Sequence, residues 1–165
     1  MEDNTLSKII GFIHSIGLEC QPGAVRSDSF LPGVEIDRGV LIYDADRLLS
    51  AGDLLHEAGH IAVVLPEHRL KMQNGEHISG DMEEGGAEMA AIAWSWAALT
   101  HLELVPEVVF HAQGYKGGGQ SLIEAFQRGH GVGVPVLHWL GMTDSPHIAA
   151  AGTPSLFPAM KRWLR

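Results

Sequence analysis

Apolar positions recur at helical spacing along most of the chain and alternate in one short stretch. Leu6, Ile9, Ile10, Ile13 and Ile16 make one stripe, which predicts a helix over residues 4–17 with Gly17 as its stop. Residues 20–33 carry Pro22, Gly23, Pro32 and Gly33 and read as loop. Two short β-rich segments between Val34 and Tyr43 flank Asp37-Arg38-Gly39, which predicts a hairpin whose edge could pair with an extended ligand. Ser50 and Asp53 have capping-box spacing, with Ser50 as N-cap. The helix that follows should run to about Leu65, where Pro66 stops it. Leu54, Ala58, Ile61 and Leu65 share one of its faces, so it should be half-buried.

Residues 66–80 are polar and read as loop, with His68 and His77 on it. Asp81 and Glu84 repeat the capping-box spacing, Asp81 as N-cap and Glu84 at the third helical position. From Ala87 to Leu99 only Glu88 and Ser95 are polar, as expected of a helix buried on every face. Gly85 and Gly86 at its start would allow close approach to another backbone. Pro106 to His111 reads as extended, and Gly114 to Gly119 as a flexible loop without the phosphate-binding pattern. A helix over 121–128 capped by Ser121, a short one over 134–141 with Pro135 in its first turn, and a last one over 157–164 complete the chain. Met160, Trp163 and Leu164 should dock that last segment. No repeat or linker divides residues 1–165. The pattern predicts one α+β domain, mostly helical, with a small antiparallel sheet or hairpin before the helix at residue 53.

Composition narrows the classes. The chain is 45% hydrophobic and 19% charged, as in globular rather than disordered proteins. A net charge of -9 argues against a nucleic-acid partner, which needs a basic patch. Cys20 is the only cysteine, so a metal site must draw on histidines and carboxylates. The most apolar run, Ala87 to Leu99, has 13 residues and is too short to span a bilayer. Met1-Glu2-Asp3-Asn4 is acidic where a signal peptide is basic, so a cytoplasmic protein with no membrane partner is expected.

The chemistry concentrates in His56-Glu57-Ala58-Gly59-His60. Four residues apart on a helix, His56 and His60 can present ring nitrogens to one ion, and Glu57 beside them can take a proton from a water that the ion activates. With 10 His and 12 Glu in the chain, this H-E-x-x-H spacing arises by chance in roughly one shuffled sequence in 25. The predicted helix context makes coincidence rarer still. Zn²⁺ needs a third protein ligand if water is to keep the fourth position. Glu84 and Glu88 are the candidates on the next helix. Glu84 has a capping role to explain it, whereas Glu88 is a lone acid in an apolar run, costly unless partnered. Glu88 is therefore preferred. His111, Tyr115, His130 and His138 are candidates to stabilise an oxyanion, with His111 and Tyr115 best placed beside the glycine-rich loop.

His56-Glu57-x-x-His60 followed by a glutamate on a second helix resembles the gluzincin metallopeptidases, the thermolysin-type zincins. The spacing of 28 residues from His60 to Glu88, in an Ala-rich helix, is more similar to small bacterial zinc peptidases of the repressor-cleaving type. The resemblance covers roughly residues 30–100 and implies a zincin-like fold, bound zinc and a peptide or protein substrate. Two departures stand out: Glu88-Met89-Ala90-Ala91 lacks the Asn frequent in the small peptidases, and the Asp of the thermolysin pattern is missing. The function expected is thus a zinc-dependent hydrolase with Glu57 as general base. The alternative of another class is a metal-binding regulatory or interaction module without turnover.

Overall fold

The computed structural model describes residues 2–73 and 82–165. Helix α1 (Glu2–Ser15) leads into strand β1 (Cys20–Pro22), followed by β2 (Val34–Asp37) and β3 (Val40–Tyr43). Helices α2 (Asp53–Val63), α3 (Pro66–Arg69), α4 (Glu84–His101), α5 (Gly119–Gln127) and α6 (Val134–Trp139) follow. The architecture is α+β, mostly helical, with a three-stranded mixed sheet in the order β1-β3-β2.

The stripe on α1 buries Ile9 and Ile13 completely, and Phe12 joins them. Gly17 ends the helix at φ +93°, while the amides of Gly17 and Leu18 bond back to His14 and Ile13. The hairpin forms as expected, β2 antiparallel to β3 with Val34 opposite Tyr43 and Asp37 opposite Val40. Its two-residue turn puts both Arg38 and Gly39 at positive φ, the primed geometry that matches strand twist.

The sheet is nevertheless not purely antiparallel. Strand β1 pairs parallel to β3, with Cys20 opposite Leu41, in a segment read as loop. Three residues ending in a proline carry too little alternation to announce a strand. Pro106 to His111 is a correction of the opposite kind, since Pro106–Val108 forms a 3-10 turn and no strand follows. No helix forms over residues 157–164; Met160 instead makes an isolated bridge to Thr143, and the Phe157 amide donates to the Asp144 carbonyl at 2.9 Å. Docking still occurs: the Trp94 indole donates to the Trp163 carbonyl at 2.9 Å, and both rings pack with Phe12.

Two helices exchange the burial expected of them. All eleven residues of α2 are buried, not one face, because α1, α4, β2 and β3 enclose it. Helix α4 is buried through its middle and C-terminal turns but has Met89 42% exposed and Glu88 half-exposed at its start. The expected caps also shift. Helix α2 starts from Gly52, with Ser50 Oγ turned to the Val108 carbonyl and only the Asp53 carboxylate returning to the Ser50 amide, at 3.3 Å. Helix α4 starts one residue after Glu83, so Glu84 is its first residue and not its third. Asp81 and His77 lie outside the described residues. Helix α5 starts after Gly118, so Ser121 sits inside it and caps nothing.

Close approach comes from other glycines than Gly85 and Gly86, which have open space around them. A methyl on Gly59 would lie 2.9 Å from the Ala91 carbonyl oxygen, and one on Gly133 only 1.8 Å from that of Met89. These two contacts seat α2 and the start of α6 directly on α4. Ser95, fully buried, donates to the Ala91 carbonyl at 2.7 Å and lies 3.4 Å from that of Leu55 on α2. Among the described residues no helix is long and apolar enough to cross a membrane.

Two glycine substitutions should therefore have opposite signs in urea denaturation. Gly133→Ala, at φ +80° against backbone, is expected to cost about 2 kcal/mol or more. Gly86→Ala, with nothing within 4 Å, is expected to stabilise by up to about 1 kcal/mol.

Candidate metal centre

The crossing of α2 over α4 brings His56, His60 and Glu88 together, with ligand atoms within 4.8 Å of one another. The two Nε2 atoms are 3.2 Å apart. Glu88 places Oε2 2.9 Å from His60 Nε2 and Oε1 3.6 Å from His56 Nε2. An ion held tetrahedrally at about 2.0–2.1 Å from each ligand atom keeps those atoms about 3.3 Å apart. The observed separations bracket that value, so the donor set fits one divalent ion. The rings are mutually perpendicular and meet edge to face, so they do not stack.

Glu84, the rival third ligand, is exposed at the first residue of α4 and is not in the cluster. The reason Glu88 wins is reach, not capping: it lies less than a turn before Ala91, where the helices touch, and its partners His56 and His60 lie within a turn of Gly59. Nor is it a fully buried acid, since its side chain is 44% exposed.

Tyr115 stands behind the cluster. Its hydroxyl is 2.9 Å from His56 Nδ1. For His56 to offer a lone pair at Nε2, the proton must sit on Nδ1, which then donates to the Tyr115 oxygen. Burial, with Glu88, Asp53 and Glu57 adding, pushes the phenol well above its ordinary range, so it remains protonated. The backbone around it is unusual, with Tyr115, Lys116 and Gly117 all at positive φ. Left-handed non-glycine residues cost roughly 1–2 kcal/mol each, and here they curl the loop so that the ring meets His56 edge-on.

His111 sits elsewhere than an oxyanion donor should. Its Nε2 lies 2.9 Å from Asp53 Oδ1, and it does not line the cleft beside the cluster. With that nitrogen committed to Asp53, it can donate further only from Nδ1, as imidazolium. His130 stacks on His147 and His138 faces Asp144 and the Ser145 amide, all outside the cluster. His68 is outside it as well.

Asp53 is the residue the sequence reading undervalued. It is 4% exposed and holds His111. Its spacing of three to His56 and seven to His60 puts all three on one helix face, a signal visible in the sequence but assigned there to capping. Burial raises its pKa, while His111 and the Ser50 amide oppose the shift. Burial likewise pushes the Glu57 carboxyl up to about 7, opposed by His60 and reinforced by Glu88 and Asp53. For His60, burial works downward, but the Glu88 hydrogen bond and the charges of Glu57 and Glu88 outweigh it and the net shift is up. Three carboxyl groups thus crowd two imidazoles, an environment that favours a cation.

A cleft of about 830 Å³ opens at the cluster, with Asp53, His56, Glu88 and Tyr115 in its wall. Glu57 is 7% exposed and does not line it. Strands β2 and β3 do not line it, although Phe30, Leu31 and Pro32 just before β2 do. Comparison with protein-family models, curated proteins and solved structures finds no match to this chain.

Calorimetric titration of metal-free protein with zinc should give one ion per chain. Tyr115→Phe should weaken binding by about 10–100-fold, since it removes only the acceptor at Nδ1. Glu88→Ala should weaken it more than that, and Glu84→Ala should leave it unchanged. Equal losses for the two glutamates would overturn the ligand assignment.

Proposed function

We propose that the protein is a zinc-dependent hydrolase of peptide bonds, a zincin-like metallopeptidase whose ligands are His56, His60 and Glu88. The observation that carries the reading is the three-residue cluster, of which His56 and Glu88 line a cleft, with a protonatable carboxyl one residue from His56. Zinc held there would supply a Lewis acid for a substrate carbonyl and bring the pKa of water to around neutrality.

The chain's own groups supply the rest. Glu57, with its carboxyl near 7, takes a proton at a carboxylate oxygen and returns it to the leaving amine nitrogen. Tyr115 fixes the His56 ring by accepting from Nδ1, which keeps the Nε2 lone pair free for the ion. Asp53 holds His111 at the N-terminal end of the same helix face, one turn from Glu57.

One observation favours the second reading, a metal-binding module without turnover: Glu57 lies outside the cleft wall. The two readings part on a single substitution. Digestion of a peptide library followed by mass spectrometry should show cleavage by the wild-type protein loaded with zinc. In Glu57→Gln the rate should fall by about 10²–10⁴-fold with zinc content unchanged. No cleavage by either protein, or equal cleavage by both, would sink the hydrolase mechanism.

A further inference from the structure

The cleft has a chemical character of its own beyond the metal cluster. Away from Asp53, His56, Glu88 and Tyr115, its walls are built chiefly from Phe30, Leu31, Leu49, Leu122, Ala125 and Val132. Three of these belong to the small set of large apolar side chains left exposed: Phe30 at 79%, Leu49 at 45% and Val132 at 37%. Single exposed apolar residues are ordinary, but three gathered around one cleft mark a surface built to be covered. They come from separated parts of the chain: the loop before β2, the approach to α2, and the turn between α5 and α6. Local sequence has no reason to gather them; the fold does.

We infer that this cleft is a substrate groove selective for an uncharged peptide segment with bulky apolar side chains, laid over Phe30, Leu49 and Val132 with its backbone reaching the cluster. The inference rests on the hydrolase reading for what happens to the segment, but not for its binding. Charge supports the choice of occupant. The two carboxylates in the wall are already engaged, Asp53 by His111 and Glu88 by His60. Lys116 is the one cation among the described lining residues, on an exposed position of the loop. A segment carrying several charges would lose hydration and gain at most Lys116 as a partner, whereas apolar side chains would release ordered water from both surfaces. Size agrees as well, since about 830 Å³ lies toward the upper end of the roughly 300–1,000 Å³ of small-molecule sites and accommodates several residues.

The test measures binding without needing turnover. Zinc-loaded Glu57→Gln protein is titrated against two fluorescein-labelled peptides of equal length by fluorescence anisotropy. One has a central Leu-Phe-Leu, the other Ser-Gly-Ser. The apolar peptide should bind about tenfold tighter or more. Phe30→Asp combined with Leu49→Asp should remove that preference while zinc content and melting temperature stay unchanged, because both side chains are exposed. Val105→Asp, equally exposed but outside the cleft, should bind as the parent does. Equal affinity for the two peptides, or a preference that survives the Phe30/Leu49 double substitution, would overturn the groove. Selective binding with no cleavage by the wild-type protein would sink the hydrolase reading while supporting the groove, so the two failures are distinct.

Discussion

Gly59 meets Ala91 so closely that a methyl group on the glycine would come within 2.9 Å of the alanine's carbonyl oxygen. That contact sets how near α2 lies to α4, and the candidate site depends on it. His60 follows Gly59 directly, His56 is less than a turn before it, and Glu88 is less than a turn before Ala91. With a larger side chain at the crossing, the helices would separate and the 2.9 Å approach of Glu88 to His60 would open. The small residues flanking the contact, Ala58, Ala62, Ala90 and Ala93, are all fully buried and maintain the same spacing along the interface. The H-E-x-x-H spacing places two candidate ligands on one helix; the Gly59–Ala91 contact brings the third within reach.

Burial of α2 on every side then shapes the electrostatics. Helices on an ordinary protein surface would leave Asp53 and Glu57 hydrated and fully ionised. Here both are enclosed, and burial raises both. The cost of crowding Asp53, Glu57 and Glu88 near one another is offset by His111, His60 and His56, which each carboxylate or its neighbour engages. Tyr115 completes the enclosure from the opposite side of His56, held there by a loop with three successive positive φ values. Such strain persists only where surroundings over-determine it. Phe110, packed against the Tyr115 ring and buried in the core, supplies that constraint.

Much of the helical framework was legible because periodicity is a local property. Leu6 through Ile16 announced α1, Pro66 announced the end of α2, and Pro135 the start of α6. The hairpin was legible from its turn. What failed were assignments in which a local signal had a tertiary competitor. Ser50 has cap chemistry, yet its hydroxyl bonds the Val108 carbonyl, 58 residues away. The segment over 157–164 has helical spacing of its apolar residues, yet its backbone is claimed by the Met160 bridge to Thr143 and by the Phe157 amide's bond to the Asp144 carbonyl. Strand β1 exists only because β3 offers it a partner.

The amino-acid sequence by itself determined that two histidines and a glutamate share a helix, that Glu88 is an acid lacking a local reason, and that with one cysteine a metal site must draw on histidines and carboxylates. These follow from residue identity and from the fixed geometry of a helix. Only the tertiary structure decided that Glu88 and not Glu84 reaches the histidines, that His111 belongs to Asp53, that Tyr115 backs His56, and that Phe30, Leu49 and Val132 face one cleft. Those depend on how closely two helices can approach and on which distant segments pack together. That is a matter of backbone contact at Gly59 and Gly133 that no periodicity along the chain encodes.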